Sequence, residues 1–245
     1  MLNMVKRWGL CALLLVTASV HAEQTAEVME KDVETRMQYL VYLPDDYAST
    51  EGDYPLVLYL HGGDESGDDI DKLRTGGLPL LVEQGHEFPF IILSPQNPYT
   101  ELFFPIERVK TLLDDVVERY RVDESRISVV GYSRGAYGAW MMSEQYPETF
   151  AGVVPIAGGG IARYLGRTGE DVAFWVFHGA GDDVISLSES VDMVEGLKAL
   201  GRDVTLTVYS DADHSDVWQR ALAEPELTDW LMQRSTAEAT EAQTQ

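Results

Sequence analysis

The segment Ile127-Ser128-Val129-Val130-Gly131-Tyr132-Ser133-Arg134-Gly135-Ala136-Tyr137-Gly138 constrains the fold more than any other part of the chain. An apolar strand runs into Gly-x-Ser-x-Gly and continues at once as a helix, so the serine must occupy a sharp turn with its hydroxyl exposed. Gly131 and Gly135 leave room for that turn. Ser133 then sits at the positive end of the following helix, where developing negative charge is favoured. The five residues alone read equally well as a glycine and serine loop, and the strand before and helix after favour a nucleophile.

Short apolar runs alternate with helical periodicity through the rest of the chain, the pattern of strand and helix units around a mostly parallel sheet. Strands are expected near Gln38 to Leu43, Leu56 to Leu60, Phe90 to Leu93, Ile127 to Val130, Val153 to Ile156, Ala173 to Phe177 and Val204 to Tyr209. One helix starts at Pro105 and carries Val109, Leu112, Leu113, Val116, Val117 and Tyr120 on one face. A second gathers Leu187, Val191, Val194, Leu197 and Leu200, and a third runs from about Gly135 to Gln145. A length of 245 residues fits one larger α/β domain.

A serine hydroxyl is a feeble nucleophile at neutral pH, so the reading needs a base and an orienting acid further along the chain. His61 and His178 each precede glycine at the end of an expected strand, and His86 lies in a polar connection. His214, expected in a loop after the last strand, is the histidine that follows both Ser133 and a plausible acid. That acid is Asp182 or its neighbour Asp183, just beyond the strand ending Phe177-His178-Gly179. A carboxylate there accepts the imidazole's other N–H and stabilises the imidazolium formed during attack. Leu60-His61-Gly62-Gly63 follows another strand, where the Gly63 N–H is expected to pair with the N–H of Arg134 in an oxyanion hole, a glycine turn with no catalytic part being the alternative.

Net charge is −23, with 41 acidic against 18 basic residues, which repels phosphate backbones and anionic lipid surfaces. Neither nucleic acid nor a membrane is an expected partner. Asp64, Glu65, Asp68, Asp69 and Asp71 cluster after the second strand, but their spacing lacks a calcium-loop signature, and solvated loop charge is the expectation. No metal and no organic cofactor is expected. Lys6 and Arg7 precede an apolar run from Trp8 to Val16, and Val20-His21-Ala22 suits a cleavage site, so residues 1–22 read as a signal peptide. Cleavage removes Cys11, the one cysteine, and leaves an exported chain, periplasmic or extracellular, with no membrane insertion. The domain is expected over 23–234 and a solvated, disordered tail over 235–245.

With these residues in place, the chain resembles the α/β-hydrolase superfamily, and within it small secreted serine esterases of the feruloyl-esterase, polyhydroxyalkanoate-depolymerase-like and predicted phospholipase/carboxylesterase groups. The resemblance spans about Tyr39 to Leu231. It rests on Leu-His-Gly-Gly at 60–63, Leu93-Ser94-Pro95-Gln96, Tyr120-Arg121-Val122-Asp123, Val176-Phe177-His178-Gly179 with Asp182, and His214 with Trp218. It implies an α/β-hydrolase fold with no large lid domain. It also implies Ser133, Asp182 and His214 as the triad, with Asp182 preferred over Asp183 by its distance from His178-Gly179, and Gly63 and Arg134 at the oxyanion hole. Relatives often carry Met-Gly-Gly where this chain has Arg134-Gly135-Ala136. The Arg134 side chain then either holds the elbow through a salt bridge or attracts an anionic substrate. Phe103, Phe104, Tyr99 and Trp218 are candidates to line an aromatic or acyl pocket.

The expected activity is cleavage of a small-molecule or polymer-end carboxylic ester through an acyl-enzyme. A peptidase or amidase with the same triad, and a non-catalytic binding protein on the same scaffold, are the alternatives.

Overall fold

The apolar runs become the inner strands of one sheet. The computed structural model describes residues 35–236, so the expected signal peptide, the domain start at residue 23 and the tail from residue 237 onward lie outside the described residues. In chain order the elements are β1 (Tyr39–Tyr42), β2 (Tyr54–Leu60), α1 (Gly77–Glu83), β3 (Ile91–Pro95), α2 (Ile106–Arg119), β4 (Val122–Tyr132), α3 (Arg134–Gln145), β5 (Gly152–Ile156), β6 (Ala173–Gly179), α4 (Leu187–Ala199), β7 (Val204–Tyr209), α5 (His214–Leu222) and α6 (Leu227–Gln233). Short 3₁₀ turns occupy Ile70–Thr75 and Ala162–Arg167.

The strand order is β1-β3-β2-β4-β5-β6-β7, with β1 antiparallel to β3 and every other pairing parallel. Parallel strands covered on both faces read as unbroken apolar runs, and β3, β5 and β6 are buried along their whole length. Edge strand β7 instead exposes Thr205 and Val208. On one face of the sheet α2, α3 and α4 contribute Val109, Leu113, Trp140, Met193 and Leu197 to the core; on the other α1, α5 and α6 contribute Leu78, Val217, Ala221, Leu227 and Leu231. Burying one such leucine or valine stabilises by roughly 1.5–3 kcal/mol, so these stripes, rather than helix propensity, hold the layers together.

The helices differ from expectation in small ways. Pro105 stands at the N-cap of α2 instead of in its first turn, and the buried stripe begins at Ile106. In α4 the inward face is Ser190, Met193, Val194 and Leu197, while Leu200 is the C-cap and 49% exposed. α3 is rich in small residues because it lies almost on the sheet. A Cβ on Gly135 would stand 1.9 Å from the Leu60 carbonyl oxygen.

At the far end of α3, Glu144 is buried with Oε1 lacking any hydrogen-bond partner among the described residues. Burial pushes its carboxyl up from an ordinary value near 4.5 to about 7, against the opposing pull of Arg167. The folded state therefore holds a proton that the unfolded chain releases, and this contribution to stability is full below pH 4.5 and lost as pH rises through 7. Glu144→Gln should accordingly gain stability over the parent as pH rises across that window, by about 3 kcal/mol at the upper end. Denaturant unfolding at a series of pH values measures it; a gap that is constant with pH contradicts it.

Candidate active site

All the parallel strands end at one edge, and there the loops after β2, β3, β4, β5, β6 and β7 converge. Ser133 joins β4 to α3 with φ 52° and ψ −114°, a left-handed conformation that costs a non-glycine residue about 1–3 kcal/mol. Hydrogen bonds hold the turn: the Ser133 N–H donates to Ile156 O at 2.8 Å, and its carbonyl accepts from Ala136 N–H at 2.9 Å. The flanking glycines are required by proximity. A Cβ on Gly131 would lie 2.1 Å from Gly135 O and one on Gly135 would strike the backbone of Leu60 and His61, so neither position accepts a side chain.

Ser133 Oγ lies 2.9 Å from His214 Nε2, and His214 Nδ1 lies 2.7 Å from Asp182 Oδ2. Three residues far apart in sequence thus form one hydrogen-bonded line. His214 is the first residue of α5, not a loop residue: Asp213 caps that helix, its Oδ1 accepting from the N–H groups of Ser215 and Asp216. Tyr132 ties this helix to the elbow, its hydroxyl donating to the His214 carbonyl at 2.8 Å. The Asp182 side chain is fully buried, and its Oδ1 accepts from the N–H groups of Val184 at 3.0 Å and Ile185 at 2.8 Å. Asp183 is exposed beside it.

Gly62 and Gly63 pass between two side chains that flank the serine. A Cβ on Gly62 would stand 3.0 Å from the Tyr132 ring, and one on Gly63 would stand 3.2 Å from Arg134 Nη2. His61 anchors their loop from beneath: its Nε2 accepts from Asn97 N–H at 2.9 Å, so Nδ1 carries the proton and donates to Gly62 O at 2.6 Å. Burial lowers the His61 pKa to about 4, which keeps this imidazole neutral.

Other expectations need correction. Arg134 makes no ion pair among the described residues; Nη1 donates to Ser66 Oγ at 3.1 Å and to the Thr100 carbonyl at 2.7 Å, pinning two rim loops together. Phe104 faces the core, 3% exposed and edge-on to His61, so it is no pocket wall. Phe103 is 51% exposed and leans on Tyr137, one turn along α3 from Ser133. Trp218 lies beside Tyr132 but borders a groove of about 580 Å³ between α1 and α5, with Leu81, Phe88 and Leu222. Glu65 departs from the solvated acidic cluster: it is buried, and its carboxyl is pushed upward by burial. Among the described residues no group of three or more histidine, cysteine, aspartate or glutamate side chains is arranged to hold a metal ion. Nor is any described helix long and apolar enough to cross a membrane.

A mostly parallel sheet with an antiparallel first strand, helices on both faces and a serine on a strained turn between strand and helix defines the α/β-hydrolase fold. The profile of the Dienelactone hydrolase family matches residues 99–241, and the chain belongs to that family. Among solved structures it is similar to a thermostable esterase, with a TM-score of 0.68 and 27% identity over 82% of this chain and 60% of that one. A ferulic acid esterase shares the fold at a TM-score of 0.56 and 19% identity, covering 79% of this chain and 90% of that one. Among curated proteins, Poly(3-hydroxyalkanoate) depolymerase C of Paucimonas lemoignei is 41% identical over 121 residues, 43% of this chain and 28% of that protein. Acetylxylan esterase A of Emericella nidulans is 24% identical over 141 residues, 52% of this chain and 44% of that protein. The chain thus spans less than half the length of each of these two curated relatives.

Proposed function

We propose that the protein is an exported serine hydrolase that cleaves carboxylic esters through a covalent acyl-enzyme. The observation that carries this reading is the line Ser133 Oγ, His214, Asp182, with separations of 2.9 and 2.7 Å. Ser133 attacks the ester carbonyl while His214 Nε2 takes its proton; the C–O bond to the alcohol breaks as His214 returns the proton to the leaving oxygen. Water then repeats the sequence and releases the acid. Asp182 holds His214 with its proton on Nδ1, leaving Nε2 free to accept. The backbone N–H groups of Gly63 and Arg134, the latter in the first turn of α3, stabilise the oxyanion.

A small-molecule or polymer-end ester is the substrate class, in keeping with the polyester and acetylxylan named for the relatives. The absence of an inserted domain over the site among the described residues supports access for such chain ends. Export rests on the basic and apolar segment at the amino terminus, Lys6 to Val16.

Matched ester and amide substrates test the activity. A short p-nitrophenyl ester should turn over with kcat/KM in the ordinary enzymatic range of about 10⁴–10⁸ M⁻¹s⁻¹, and the matching anilide should not. Comparable cleavage of the anilide would replace the esterase reading with an amidase. Inertness toward acetyl-sugar, feruloyl, short acyl and hydroxyalkanoate esters alike would favour a binding role.

A further inference from the structure

Among the described residues two histidines meet Asp182, and His214 is one of them. The other, His178, is the penultimate residue of β6 and fully buried. Its Nε2 lies 3.0 Å from the Ile185 carbonyl oxygen and 3.4 Å from Asp182 Oδ2. Both neighbours accept hydrogen bonds, so Nε2 carries the proton. On the other side of the ring, Nδ1 lies 2.7 Å from Ser190 Oγ in α4, and that oxygen lies 2.8 Å from the Gly158 carbonyl. Gly158 in turn backs the elbow: a Cβ there would stand 3.0 Å from Ser133 O and 2.6 Å from Ala136 Cβ.

These contacts join the two ends of the site through its interior. The turn at 182–185 is closed from the front by Asp182 Oδ1, which accepts from the backbone of Val184 and Ile185. From behind it is closed by His178, which binds the carbonyl of the same Ile185. A buried carboxylate is costly unless its lone pairs are met, and every polar contact that fixes its plane also fixes the direction in which Oδ2 faces His214. We propose that His178 is a positioning residue for Asp182. It holds the 182–185 turn so that the carboxylate keeps His214 in line with Ser133.

The proposal rests on the esterase reading, and its test leaves that reading intact. His178→Leu removes both ring contacts, and His178→Gln keeps a side-chain N–H near the place of Nε2. In folded protein the leucine variant should lose about 10–100-fold in kcat with KM unchanged, the size expected when a remote change lets reacting groups slip by up to an ångström. The glutamine variant should recover most of the loss. A folded leucine variant with parental kcat, or a glutamine variant no better than leucine, overturns the proposal while parental ester turnover still stands. Nitrogen-15 spectra of the unaltered protein give an independent decision if the leucine variant does not fold. A protonated His178 Nε2 supports the role, and an unprotonated one refutes it.

Discussion

Ser133→Ala should lower ester turnover by about 10⁴–10⁶-fold, the range over which a lost nucleophile leaves only binding and oxyanion stabilisation to act. The substitution removes one oxygen and leaves the turn otherwise as it is. The backbone bonds that define the elbow, from Ser133 N–H to Ile156 O and from Ala136 N–H to Ser133 O, do not involve the side chain. Alanine meets the same left-handed strain at φ 52°, and Ala157 shows the same φ at the end of β5. Thermal stability should therefore stay close to that of the parent. Steady-state rates with a p-nitrophenyl ester and a melting curve on the same sample check both halves. Loss of activity together with loss of fold would not count as the expected result; an active, folded alanine variant would remove Ser133 from the mechanism.

Asp182→Asn should cost about 10⁴-fold in kcat, although it changes neither volume nor shape. The cause lies in which oxygen is already engaged. Oδ1 accepts from two backbone N–H groups, at 3.0 and 2.8 Å, so an asparagine keeps its carbonyl oxygen there and turns its amide toward His214 Nδ1. That nitrogen must then accept, and the ring proton moves to Nε2, where it faces Ser133 Oγ. An imidazole in that tautomer cannot take the serine proton. The amide also points its hydrogens toward the protonated Nε2 of His178, 3.4 Å from the present carboxylate oxygen. Single-turnover measurements should show the acylation step slowed by the full factor. A variant with parental kcat would contradict the orienting role of the carboxylate.

The sheet was legible because its inner strands are buried on both faces and so appear as uninterrupted apolar runs such as Pro55 to Leu60. The elbow was legible for a related reason. Gly131 and Gly135 sit where any Cβ would strike backbone, so close packing writes itself directly into residue identity. Helices α1 and α6 left weaker traces, being seven residues each and too short to display a period. α5 carries a readable signal within a stretch expected as a loop: Asp213 is an N-cap, and Val217 and Ala221 recur four residues apart on its buried face. The aromatic residues near the site were harder. Phe103 and Phe104 are adjacent and chemically alike, yet one is half exposed and the other packs on His61. Contacts among distant side chains, such as Arg134 with the Thr100 carbonyl, Tyr132 with the His214 carbonyl and His178 with Asp182, have no signature in spacing at all.

In the proposed mechanism one hydroxyl among the many serines is made nucleophilic by its hydrogen-bonded partners. Intact-mass and peptide-mapping analysis after reaction with a fluorophosphonate measures this directly, because the reagent captures an activated serine without any assumption about the natural ester. A single adduct located at Ser133 is expected, with labelling slowed in step with ester turnover in Asp182→Asn. Folded, ester-hydrolysing protein that stays unlabelled, or carries its adduct on a different residue, would contradict it.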